Sequence, residues 1–397
     1  TGDNNTVIGT NAMRTNTTGH KNVAVGNGAL QANTTAGNST AVGNGALTTN
    51  TTGAGNTAIG YRALVLNSTG ANNTAVGYDA LDQNTTGTGN VAMGTLAADA
   101  NTTGNYLVAI GRNALGANTT GHNNIAIGTE ALNANTTAGD NVGVGFRSLK
   151  TNTTGHTNTA VGYVALTANT TGYDNVAFGA YSLQANTTGL DNTSVGKSSL
   201  YANTTGSSNT AVGRNAGATV TTGSQNTLIG HNARPDGNTT NLHNVIGYNV
   251  QSVGSDYSVI GFNGDRSYIA KGASSWAGSS DERLKKDITT STAGLSFIND
   301  LRPVTFNWKA KGDVPTTLVS YEENSTEKVN GESRETHGFI AQEVKTVIDA
   351  HSEIKDGHNI WTETSDGTQG LAQGQLVPML VKAIQELSAK VTALENA

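Results

Sequence analysis

The sequence predicts a mainly β protein: a trimeric parallel β-roll or β-solenoid of 17-residue coils, followed by a small α+β domain that ends in a coiled-coil helix. Three observations predict it. A glycine recurs every 17 residues from Gly9 to Gly247, fifteen in all, almost every one preceded by a small apolar pair such as Val7-Ile8, Ala24-Val25 or Ala58-Ile59. Asn-Thr-Thr-Gly or a close variant keeps the same step from Asn16 to Asn203. Charge then divides the chain: residues 1–280 hold 11 Lys+Arg and 11 Asp+Glu, whereas residues 281–397 hold 12 and 18, which accounts for the whole net charge of −6.

A unit repeated this strictly is a solenoid, each coil burying its apolar face only against its neighbours. One coil reads Asn-Thr-Ala-Val-Gly-x-x-Ala-Leu-x-x-Asn-Thr-Thr-Gly-x-x. Two apolar patches, such as Ala75-Val76 and Ala80-Leu81, are separated by a bend and closed by a polar turn. Patches this short favour two β-strands per coil over helix, with Gly and Asn-Thr-Thr-Gly supplying the turns. At about 4.8 Å per coil, fifteen coils make a rod of about 70 Å. Each coil is thin, and the small Ala beside each Val or Ile suggests a second packed face where neighbouring chains approach. Several chains side by side, as a homotrimer, are therefore expected.

The Asn-Thr-Thr triplets match the N-glycosylation sequon, but they read equally as stacked turn residues, with Asn taking a left-handed bend and Thr capping the next strand. The residue after each core glycine varies freely (Asn27, Tyr61, Tyr78, Arg112, Phe146, Tyr163, Lys197, Arg214), which suits an exposed stripe. Thr1 falls in mid-repeat, so a preceding segment is expected.

Composition narrows the function classes. Fifty glycines would suggest disorder if scattered, but here they are periodic, and they do not recur every third residue as collagen requires. No cysteine is present, so no disulfide contributes. A weakly acidic chain with no basic stripe does not fit nucleic-acid binding, and no segment reads as a membrane span or signal peptide. Metal-ligand histidine spacing, Asp-rich calcium repeats and phosphate-binding loops are missing, so no cofactor and no metal are expected.

The 17-residue units resemble the head repeats of trimeric autotransporter adhesins, whose Val-Ala-Ile-Gly-x-x-Ala coils form left-handed parallel β-rolls that trimerise. The resemblance covers Thr1 to about Gly261. It places the rod at 1–247 and a neck at 248–280.

Beyond the rod stand four blocks. They are Trp276 to Ile288 (with Ser279-Ser280-Asp281-Glu282-Arg283-Leu284-Lys285-Lys286), Leu301 to Lys309, His337 to Val344, and Leu376 to Leu387. In this order they resemble the C-terminal intramolecular chaperone domain of phage tailspikes and tail fibres, a self-cleaving serine peptidase, here over 281–397. The resemblance implies a cleavage site at Ser280 and Asp281 and a catalytic dyad of Ser280 and Lys285. A serine hydroxyl needs a base, and lysine serves only when burial or nearby cations favour its neutral form; Arg283 and Lys286 flank it. The family places the cut between Ser280 and Asp281, whereas an acyl shift onto the serine oxygen would break the Ser279–Ser280 bond. A solvated linker and charge run is the plainer reading of the same residues.

From Leu376 to Asn396 the period becomes helical. Leu380, Ile384, Leu387, Val391 and Leu394 form a coiled-coil seam, and Pro378 suits a helix start. β-Branched residues at one seam position favour a dimer, while both resemblances imply a trimer.

Together these imply a phage tail fibre or tailspike, or its counterpart in an injection particle, made in the host cytoplasm. It would join an upstream fibre or baseplate segment, bind a host-cell glycan or protein receptor, and not insert into membrane. A bacterial surface adhesin and an ice-binding solenoid are the alternatives.

Overall fold

The structure, a computed structural model, describes residues 2–271, 277–278, 285, 287–331, 334–355 and 359–397. The chain separates into two compact units, Thr1–Ser280 and Asp281–Ala397.

In the first unit each coil contributes one short strand at 17-residue intervals, three residues long from β1 (Thr6–Ile8) onward and five in β15 (Asn244–Tyr248). Each pairs in parallel with the next, Ala75 opposite Ala92 and Val76 opposite Met93, so every column holds chemically similar residues. β16 (Tyr257–Phe262) continues the parallel stack after a step of 14 residues, since Asn244 pairs with Ser258. β17 (Asp265–Ala270) and β18 (Ala277–Gly278) then add antiparallel. The residues expected to form a neck thus extend the same sheet.

The core glycine is required by contact. A Cβ on Gly77, whose φ is +146°, would lie 2.5 Å from the carbonyl oxygen of Gly94 in the next coil. No side chain fits that approach, and the same holds down the column.

Three sequence expectations are corrected. First, Ala80-Leu81 forms no strand: Leu81 lies in a turn at φ 52°, as do its equivalents Leu64 (φ 54°) and Leu115 (φ 52°). A left-handed leucine costs about 1–2 kcal/mol; here it drives the side chain into the coil centre, where Leu81 is fully buried. Second, the strand alanines do not face neighbouring chains. Ala75, Ala92 and Ala109 are fully buried inside the coil, while the following Val, Ile or Met points outward, leaving Ile59, Met93 and Phe178 exposed. Successive strand residues face opposite ways, and the coil interior has room only for the smaller one. Third, the sequon asparagines take no left-handed bend; the left-handed residues are others, such as Arg62 and Asn72.

Those asparagines form a buried ladder instead. Asn118 Nδ2 donates to Asn101 Oδ1 at 2.9 Å and to Gly121 O at 3.1 Å, and Asn135 Nδ2 donates to Asn118 Oδ1 at 2.9 Å. A second ladder uses the asparagine before each strand: Asn73 N donates to Asn56 Oδ1, and Asn90 N to Asn73 Oδ1. With no room for a large apolar core, the coil interior satisfies its polar groups column by column. Where Val220 takes the asparagine position, the first ladder stops and Asn203 Oδ1 is left buried without a partner.

The second unit contains α1 (Leu295–Asp300), β19 (Val304–Phe306), β20 (Thr336–Gly338), α2 (Ala341–Ala350), β21 (Trp361–Glu363), β22 (Gln369–Leu371) and α3 (Val377–Glu395). β19 pairs antiparallel with β20, and β21 with β22. Its core gathers Phe297, Val344, Ile348, Ile360 and Leu376. The second and third sequence blocks supply β19 and β20, with the start of α2.

Candidate cleavage junction and assembly helix

Ser280 and Asp281 lie outside the described residues, as do Ser279, Arg283 and Lys286. Lys285 is described and exposed.

α1 begins nine residues after Lys285, behind Gly294. The carboxylate of Glu386 on α3 accepts a hydrogen bond from Leu295 N at 2.9 Å. That bond holds the Glu386 pKa below the usual carboxylate range, with Lys382 contributing at 3.5 Å. A Cβ on Gly294 would sit 2.7 Å from both Glu386 oxygens, so glycine keeps the carboxylate's seat open. α3 is thereby fixed to the first helix downstream of the junction.

α2 is fixed at both ends. Arg302 forms a bidentate pair with Glu343 in its first turn. At its C-terminus His351 lies between two carboxylates, with Nδ1 2.9 Å from Glu353 Oε1 and Nε2 2.8 Å from Asp300 Oδ2. Hydrogen bonding to Glu353, then to Asp300, raises the His351 pKa. The His351 ring thus joins the end of α1 to the end of α2. Sequence reasoning missed Gly294, His351 and Glu386, because their partners lie far apart in the chain.

α3 presents two faces. Leu376, Met379 and Ala383 turn toward the unit, whereas Leu380, Ile384, Leu387, Val391 and Leu394 are all exposed, Ile384 by 67% and Leu394 by 78%. The seam residues share one outward face of a 19-residue helix that begins with Pro378 in its first turn. No described helix is long and apolar enough to cross a membrane.

A long parallel solenoid is thus followed by a separately folded α+β unit whose last helix exposes an apolar face. Residues 280–352 match the family model described as chaperone of endosialidase. The match opens on Ser280, takes in the second and third sequence blocks, and ends before α3. It points to a tailspike- or fibre-like protein of a phage tail particle. No curated protein and no solved structure matches the chain.

Proposed function

We propose that this chain is a distal tail-fibre or tailspike protein of a phage or phage-like injection particle. Three chains form a receptor-binding rod whose C-terminal unit, 281–397, drives trimerisation and then frees itself by a single cut. The observation that carries the reading is the family match opening at Ser280, downstream of a stack of equal coils.

The stack explains the need for a chaperone. A slip of one 17-residue unit sets Ala on Ala and Asn on Asn, so register is weakly specified between chains. A trimeric unit that folds first fixes that register, and slow non-local pairing proceeds from it. Two apolar faces suit burial in such a trimer: the outward strand column, including Ile59, Met93, Phe178 and Ile260, and the outward face of α3. In the cut, Ser280 and Lys285 form the dyad, with Lys285 taking the proton of the Ser280 hydroxyl; the Ser280–Asp281 amide is the bond broken, with uptake of one water that leaves a carboxylate on Ser280 and a free amine on Asp281. Lys285 is exposed in the single chain, and a lysine base must be desolvated; cover from neighbouring chains would tie the cut to assembly. Release of the nucleus then makes disassembly kinetically difficult.

Light scattering on the purified protein tests the assembly. Three protomer masses are expected for the full chain and for its processed rod, with aggregation or monomers from a chain ending at Ser280. A truncated chain that trimerises as well as the processed one would rule out the chaperone role.

A further inference from the structure

The turn following each core glycine forms one longitudinal face of the solenoid, and in several coils its charged side chains are paired. Arg62 pairs with Asp82 at 3.0 Å, and Glu130 takes Arg147 and Lys150 at 2.8 Å each. Exposed aromatic rings there cover one another: Tyr61 stacks on Tyr78 at 5.2 Å and Phe146 on Tyr163 at 5.4 Å.

Three coils near the C-terminal end of the rod break this pattern. The coil after Gly213 departs from the repeat, with Gly217 at the leucine position and Ala218 following Tyr201 in its column. The smaller side chains leave a groove of roughly 400 Å³, lined by Ser198, Tyr201, Asn215, Thr219, Asn232 and Arg234. Asn215 and Asn232 occupy equivalent left-handed positions on successive coils (φ 57° and 55°), as does Ser198 one coil earlier (φ 56°). Among the described residues, their amides and hydroxyl form no hydrogen bond, nor does the Thr219 hydroxyl. Tyr201 is 44% exposed and stacks on no other described ring. Arg234 donates one N–H to Gln251 Oε1 at 3.3 Å.

We propose that this groove binds a saccharide. Two primary amides and two hydroxyls both donate and accept, which is what rows of sugar hydroxyls require. An unstacked tyrosine ring presents the electron-rich face that the polarised C–H bonds of a pyranose take. The volume lies in the range of small-ligand sites, and the arginine at one end adds the charge that would select an acidic substituent. The proposal rests on the receptor-binding reading and names the site and ligand class for it.

The test uses the full-length protein on an array of bacterial surface oligosaccharides, in parallel with adsorption of the labelled protein to bacterial cells. Tyr201→Ala and the double variant Asn215→Ala with Asn232→Ala are compared with wild type and with Tyr61→Ala, which alters a stacked ring elsewhere. All substituted side chains lie outside the core, and thermal melts matching wild type verify folding. Binding by wild type and Tyr61→Ala, falling at least tenfold in both groove variants, is expected. Glycan binding unchanged in the groove variants overturns the site while leaving receptor binding in place. Cell adsorption with no glycan bound overturns the saccharide in favour of a protein receptor; loss of both overturns the receptor-binding reading itself.

Discussion

Glu386 on the C-terminal helix accepts a hydrogen bond from the backbone N–H of Leu295 at 2.9 Å, across 91 residues of sequence. The helix whose outward face would join three chains is thereby fixed to the first helix beyond the cleavage junction. Gly294 makes the contact possible, so Glu386→Ala and Gly294→Ala should damage the same interaction. Each is expected to destabilise the C-terminal unit by removing the same charge-assisted hydrogen bond. Denaturant unfolding of the two single variants and the double should give a strongly sub-additive cycle. Additive losses would mean that the two residues act separately.

A second expectation concerns the altered coil. A Cβ on Gly217 would lie 2.7 Å from Leu228, whose side chain fills the space that a leucine at 217 would otherwise take. Leu228→Ala should cost about 2–5 kcal/mol through the cavity it leaves. Gly217→Leu should cost about 1–3 kcal/mol by overpacking. Combined, they restore the consensus coil, since leucine already adopts this left-handed turn in Leu200 (φ 45°). Thermal melts should show the double variant more stable than either single one.

The asparagine ladder gives a third. Asn118→Ala strands the amide of Asn135 on one side and the carbonyl of Asn101 on the other. Each buried group left unsatisfied costs about 1–3 kcal/mol. Thr120→Ala, at an exposed position in the same turn, should lie within about 0.5 kcal/mol of wild type. Melting temperatures of the two variants provide the comparison, and equal values would contradict a stabilising ladder.

The fourth is a pH dependence. The His351 pKa is raised in the folded unit, so its stabilising effect is fully present below the unfolded value, about 6.5, and is lost as pH rises through the folded one. The C-terminal unit should therefore lose stability as pH rises above the ordinary histidine range. His351→Gln should flatten that part of the profile. Denaturant midpoints across the range measure it; an unchanged slope in the variant would assign the dependence to other groups.

The solenoid, its 17-residue step and the final helix were legible because each repeats a period the eye can count. Which way the strand pair faces was less so: Ala75 and Val76 are both apolar, and only the width of the coil decides that the smaller turns inward. The turn leucines misled because local propensity argues against a left-handed leucine, and burial overrides it. The stacking of Asn118 on its counterparts one coil above and below was legible from the repeat, but its burial and its lack of a left-handed bend were not, since nothing local reveals that the turn folds its amide inward. In the C-terminal unit, the blocks around Ser280 and Lys285 were visible as a resemblance. The contacts that join the described helices of that unit, Glu386 to Leu295 and His351 to Asp300, lie too far apart in sequence to be inferred from it.

The central claim is that the C-terminal unit cuts itself loose at the junction, and intact-mass spectrometry of the purified full-length protein tests it most directly. Without added protease, wild type should yield a C-terminal fragment beginning at Asp281, whereas Ser280→Ala and Lys285→Ala should remain whole. A wild-type chain that stays uncut, or a Ser280→Ala chain that still yields the fragment, would contradict the account.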